Sequence, residues 1–195
     1  MRIIMKKTSI MLISVVMLLL ASPVQAIDVD FYSDATIEDG DVYTNVFVYD
    51  TLPDSTTVNM CGGSVAGFLT YESSTVNIYG GEVYGGLATL NLSTINIYGG
   101  SVECHSLTVN DSSTLNVYGG GLYVGNSPGF SESSTVNIYG YDFNYDGFRL
   151  TGFLSDGSAF LFNELSFDKY SHMNLIPEPA SLLLLAFGGL LLRSC

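Results

Sequence analysis

Ser74-Thr75-Val76-Asn77-Ile78-Tyr79-Gly80-Gly81 is the phrase whose reading decides the fold. It returns as Ser93-Thr94-Ile95-Asn96-Ile97-Tyr98-Gly99-Gly100 and as Ser113-Thr114-Leu115-Asn116-Val117-Tyr118-Gly119-Gly120. Altered copies flank these three, Thr56-Thr57-Val58-Asn59-Met60-Cys61-Gly62-Gly63 upstream and Ser134-Thr135-Val136-Asn137-Ile138-Tyr139-Gly140 downstream. Successive asparagines stand 18, 19, 20 and 21 residues apart. A recurrence of about 20 residues, lengthening by one at each step, marks a repeat architecture, and it takes precedence over any element-by-element reading.

Within each phrase the apolar residues alternate with polar ones. Val76 and Ile78 share one face, and Thr75, Asn77 and Tyr79 share the other, which is the period of a strand and not of a helix. Two further short strands complete each period. One follows the Gly pair, at Val65, Val83, Val102 and Leu122, and one precedes the next phrase, at Phe68, Leu87 and Leu107. Three short strands in about 20 residues fit one coil of a parallel β-solenoid, with coils stacked about 4.8 Å apart. Gly pairs supply sharp corners, and clusters such as Glu72-Ser73-Ser74 and Asp111-Ser112-Ser113 supply polar turns. A β-sandwich of hairpins is the competing fold, but no Asn-Gly or Asp-Gly turn separates the repeated strands.

The sequence therefore predicts an all-β fold, a parallel β-helix or β-solenoid of about five coils, with β caps and a short apolar helix at each terminus. Residues 27–140 form the repeat domain, 27–50 its N-terminal cap and 141–175 its C-terminal β cap. Length varies at one corner. From third-strand to next second-strand apolar residue the step is 3 (Val65 to Phe68), 4 (Val83 to Leu87), 5 (Val102 to Leu107) and at least 6 (Leu122 to Pro128). Loops gathered on one edge are where repeat proteins usually bind.

Charge is distributed unevenly along the chain. Four of the six Lys and Arg residues, Arg2, Lys6, Lys7 and Arg193, lie near the ends, so residues 27–176 hold 18 acidic groups against Arg149 and Lys169. That field excludes nucleic acid, whose binding requires clustered cations. It attracts divalent or cationic partners and keeps a Tyr-rich protein in solution. Cys61, Cys104 and Cys195 match no zinc or disulfide framework, although a Cys61–Cys104 pair is allowed in an oxidising compartment.

The ends carry addresses. Arg2, Lys6 and Lys7 precede the apolar run Ile10–Ala21, and Val24-Gln25-Ala26 is a small-residue site, so residues 1–26 read as a signal peptide cut after Ala26 by signal peptidase. At the other end Pro177-Glu178-Pro179 breaks any helix, and Ala180–Leu192 is a thirteen-residue apolar run. As a helix this run spans roughly 20 Å against about 30 Å of bilayer hydrocarbon, which suits a transient stop better than a permanent anchor. Ile176-Pro177-Glu178-Pro179-Ala180-Ser181, the Leu-rich run with Gly188-Gly189 and the closing Arg193 resemble the PEP-CTERM sorting signal, here ending on a single basic residue. The resemblance covers residues 176–195. It implies recognition and removal of the tail by an exosortase, transient membrane insertion, and delivery to the cell envelope, cell surface or extracellular matrix, with exopolysaccharide as a partner. It implies no activity.

Three candidate sites stand in the middle. Tyr79, Tyr98, Tyr118 and Tyr139 should stack as an outward ladder, a platform for glycans in a binding or adhesion module. The asparagines at 59, 77, 96, 116 and 137 should form an amide ladder. Asp142, Asn144 and Asp146 before Gly147 match the first half of a calcium loop, but position twelve is Phe153 in place of Glu. Parallel β-helices also include polysaccharide-active enzymes, which need acids and cations converging in a groove. Here Arg149, Lys169, His105 and His172 are scattered, so the expectation is a non-catalytic protein without a cofactor.

Overall fold

The computed structural model describes residues 27–178 apart from 52, 54 and 127. Ala26, Pro179, Arg193 and both apolar terminal segments lie outside the described residues. The fold is a parallel β-solenoid of about five coils with almost no helix.

Three sheet faces run the length of the solenoid. On the first, Ala35–Ile37, Thr57–Met60, Thr75–Ile78, Thr94–Ile97, Thr114–Val117 and Thr135–Tyr145 pair in parallel, each with the next, and in strict register over the repeated phrase. On the second, Tyr43, Val65, Val83, Val102 and Leu122 align, and on the third Val46, Phe68, Leu87 and Leu107 align. These are the apolar positions that the repeat selects. Their alternation sends Val58, Val76, Ile95, Leu115 and Val136 inward as one buried column, with Ile37, Met60, Ile78, Ile97, Val117 and Ile138 as the next. Each such side chain contributes about 1.5–3 kcal/mol when fully buried.

The Gly corners work by close approach. Gly100 sits at φ +82°, and a Cβ on Gly99 would lie 2.5 Å from the Tyr79 carbonyl oxygen of the coil below. Consecutive coils turn so tightly there that backbone rests on backbone.

The corner of variable length is built differently from the expected loop. Its extra residues lengthen the second face from one inward position to two, and Cys104, Val124 and Phe162 form an added buried column beside Val102, Leu122 and Phe160. The solenoid widens from its first coils to its last because inserted residues that alternate inward and outward extend a strand more favourably than they expose apolar surface. Cys104 is a core residue there, and burial pushes its thiol up to about 12. Cys61 is exposed at the first-face corner, and both cysteines are free.

Residues 27–50 carry a coil of their own. Ala35–Ile37 joins the first face, Val42–Val48 spans the second and third, and Ile27–Phe31 closes the third. Beyond the repeats the chain makes a mixed β cap. Thr135–Tyr145 and Leu150–Leu154 form an antiparallel hairpin, Ala159–Phe162 pairs antiparallel with the hairpin and parallel with Gly121–Val124, and Leu150, Leu154 and Leu165 complete the core. After the short helix Phe167–Tyr170, Met173–Pro177 returns to the first face as its last strand.

Candidate functional site

The outward surface of the first face consists of straight ladders. Each Asn side chain donates from Nδ2 to Oδ1 of the Asn one coil below, at 2.8–2.9 Å, through Asn77, Asn96, Asn116 and Asn137. Asn174 adds a sixth rung, donating to Asn137 at 2.9 Å. It lies 37 residues from the preceding rung, so the regular period does not reveal it.

Tyr79, Tyr98, Tyr118 and Tyr139 form the expected ladder, with ring centroids 5.0, 4.9 and 4.4 Å apart and planes within 17°. Their faces lie against one another. Burial, with the hydrogen bond to Tyr139, pushes the Tyr118 hydroxyl up to about 12. Cys61 occupies the position below Tyr79, and Ile176 pairs above Tyr139. Solvent therefore meets ring edges and hydroxyls along this column, whereas a sugar ring stacks on an open face. The geometry suits strand shielding, and it leaves the interior rings without a free platform.

A second tyrosine ladder, Tyr32, Tyr49 and Tyr71, runs along the corner after the third face, with centroids 5.2 and 4.9 Å apart. Its sequence signal was available: each tyrosine directly follows the last third-face residue, after Phe31, Val48 and Thr70. The long insertion around Thr51–Ser55 hides the period. A concavity of about 730 Å³ opens beside it, lined by Tyr32, Ser33, Asp34, Thr51, Pro53 and Ser55 among others. The Asp34 carboxylate that lines it is bonded to backbone, its Oδ1 accepting from Thr57 N at 2.7 Å, and the neighbouring Asp50 Oδ1 accepts from Thr56 N at 2.9 Å.

The serine turns hold a buried polar column. The tips at Glu72, Asn91 and Asp111 have φ near +60°, while Ser74, Ser93 and Ser113 behind them are fully buried. Each hydroxyl donates to the carbonyl three residues back, at 2.7, 2.7 and 2.6 Å, and also reaches a lower coil. These serines replace water at the corner, because a buried carbonyl left unpaired is costly.

The calcium-loop residues go elsewhere. Asp146 Oδ1 accepts from Phe148 N at 2.9 Å and Arg149 N at 2.7 Å, forming the turn of the cap hairpin. The Arg149 and Phe148 amides hold its carboxyl below the usual range. Asp142 sits at φ +53° in a bulge of the strand that also carries Asn144. At Asp146-Gly147 the motif forms an Asx turn that closes the hairpin. Among the described residues no three His, Cys, Asp or Glu side chains converge on a metal-sized site.

No family model, curated protein or solved structure matches this chain. The remaining residues singled out by the sequence are dispersed. His105 lies exposed at the widening corner, Arg149 in the hairpin turn, and His172 Nδ1 lies 2.8 Å from the Asp168 carbonyl oxygen. Among the described residues no helix is long and apolar enough to cross a membrane.

The start of the Pro-Glu-Pro motif belongs to the solenoid. Ile176 and Pro177 pair with Tyr139 and Gly140, the Glu178 amide donates to the Gly140 carbonyl at 2.9 Å, and Glu178 Oε1 accepts from Ser155 Oγ at 2.6 Å. Nearby, Asp156 binds the last Gly corner through the Gly120 amide at 2.8 Å. Burial raises the Asp156 carboxyl, but the Ser158 hydroxyl and the Gly120 and Ser158 amides outweigh it and hold the group below the usual range.

Proposed function

We propose that this chain is an exported, non-catalytic display protein: a rigid solenoid carried across the membrane by residues 1–26, held briefly by its C-terminal apolar segment, released by an exosortase, and set in the cell envelope or extracellular polymer. The observation that carries the reading is the junction at Pro177 and Glu178. Met173–Pro177, the last core strand among the described residues, runs into the first residue of the motif, and Glu178 is bonded to Ser155, so the motif begins at the edge of the solenoid body. A cut beyond Glu178 would remove no strand and no core residue of that body.

Composition supports the same role. The acidic excess keeps a body with exposed Tyr84, Tyr98 and Tyr123 dissolved outside the cell. The stacked ladders spend their chemistry on structure, as befits a matrix component. Surface labelling tests the proposal. In the native host an impermeant amine- or thiol-reactive reagent should tag the protein on intact cells or in the shed polymer, and a chain lacking residues 177–195 should be lost from the envelope into the medium. Recovery of the wild-type protein solely from the cytosol would refute the proposal.

A further inference from the structure

The second face bears a tyrosine pair unlike the ladders. Tyr84 and Tyr123 are each 44% exposed, and neither ring stacks on another aromatic ring. Tyr123 pairs with Glu103, Val102 before Glu103 pairs with Val83, and Tyr84 follows Val83. The order along the solenoid axis is thus Tyr84, Glu103, Tyr123, one per coil. Two inter-strand steps separate the rings by roughly 9.5 Å.

Among the described residues no hydrogen bond engages Tyr84 or the exposed Glu103 carboxylate, and the Tyr123 hydroxyl accepts from Asn163 Nδ2 at 3.1 Å. Glu103 and Tyr123, with Ser101, Gly121 and Ala159, line a shallow groove of about 240 Å³, and Tyr84 stands one coil beyond it. A Cβ on Gly121 would meet no atom within 4 Å, and its φ is ordinary, so neither packing nor backbone strain explains glycine there. Bare backbone at that position lets a flat ligand approach the sheet closely.

We propose that this column is a binding site for a neutral, extended 1,4-linked glycan lying along the solenoid axis. Tyr84 and Tyr123 take the apolar faces of two sugar units about a disaccharide apart, and Glu103 between them accepts paired hydroxyl hydrogens. Aromatic platforms with a few placed polar groups are the usual makeup of such sites. Charge selects the ligand class, because 18 acidic groups against 2 basic ones in residues 27–176 repel polyanionic glycans. The site goes beyond the display role and is independent of sorting, since it can be assayed on protein that never met an exosortase.

The test is titration calorimetry of the purified full chain in mild detergent with cellohexaose and mannohexaose, and with an alginate hexamer as the polyanionic control. Binding of at least one neutral hexamer and none of the alginate is expected. Tyr84→Ala and Tyr123→Ala should each weaken binding about tenfold, and Tyr98→Ala in the stacked ladder should change it less than twofold. Tyr84→Phe and Tyr123→Phe, which keep the rings, should retain binding and guard against misfolding as the cause of loss. The site is refuted if both neutral hexamers fail to bind, if Tyr84→Ala and Tyr123→Ala bind as wild type, or if the Phe variants lose as much affinity as the Ala variants.

Discussion

At Gly99 an added methyl group would collide with the Tyr79 carbonyl oxygen, a backbone atom that cannot turn aside. Gly99→Ala should therefore cost more than the roughly 1–3 kcal/mol of ordinary overpacking, and the neighbouring Gly100→Ala adds positive-φ strain. Chemical denaturation of both variants measures this. Ile97→Ala empties a position in the buried column and should cost about 2–5 kcal/mol, whereas Tyr98→Ala on the outward side should cost less. Cys104 and Tyr118 report most strongly on alkaline pH, with Tyr43 and Tyr49 shifted in the same direction. Cys104 and Tyr118 both have folded values near 12, above their ordinary ones, so the unfolded chain releases these protons first. Their contribution is intact below the ordinary thiol and phenol values and is lost as pH climbs from about 9 toward 12. Thermal midpoints should fall across that window. In a Cys195→Ser background, Ellman's reagent at pH 8 should titrate Cys61 in the folded protein and Cys104 only after unfolding.

Individual elements differ in how plainly the sequence declared them. The first-face strands were legible residue by residue, because a parallel stack keeps one residue type per column and the period carries that regularity into the sequence. The inward positions on the second and third faces were legible for the same reason. The widening corner was not: a step of 3, 4, 5 and 6 reads as a growing loop unless the alternation of Cys104 and Val124 is recognised as inward-facing. Residues 27–50 concealed a coil because Ala35-Thr36-Ile37 lacks the Asn, the Tyr and the Gly pair of the phrase. The Asx turn at Asp146 and the start of a calcium loop share a sequence, and the turn shows itself through the amides of Phe148 and Arg149, which the sequence does not place. The sixth asparagine rung makes the last strand a structural element in its own right. Truncation after Glu178 should leave the melting temperature within a few degrees of the full chain. Truncation after His172 removes Met173–Pro177, uncovers Val136 and Ile138, and should lower the midpoint by more than 10 °C or drive aggregation, as loss of a capping layer does in a solenoid.

Over the whole molecule, stability follows one dimension, since each coil contacts mainly the coils above and below. Ladders, Gly corners and buried serines all repeat along that axis, so each coil is tied to its neighbours by the same contacts. The proposed role rests on the place of the motif: Pro177 and Glu178 lie at the edge of the last described strand, and the segments proposed to direct export flank residues 27–178. Mass spectrometry of the protein isolated from its native host tests that claim most directly. The mature chain should begin at Ile27 and end within or just beyond Pro177-Glu178-Pro179, with the apolar run gone. A mature chain that still extends through Leu192 would contradict it.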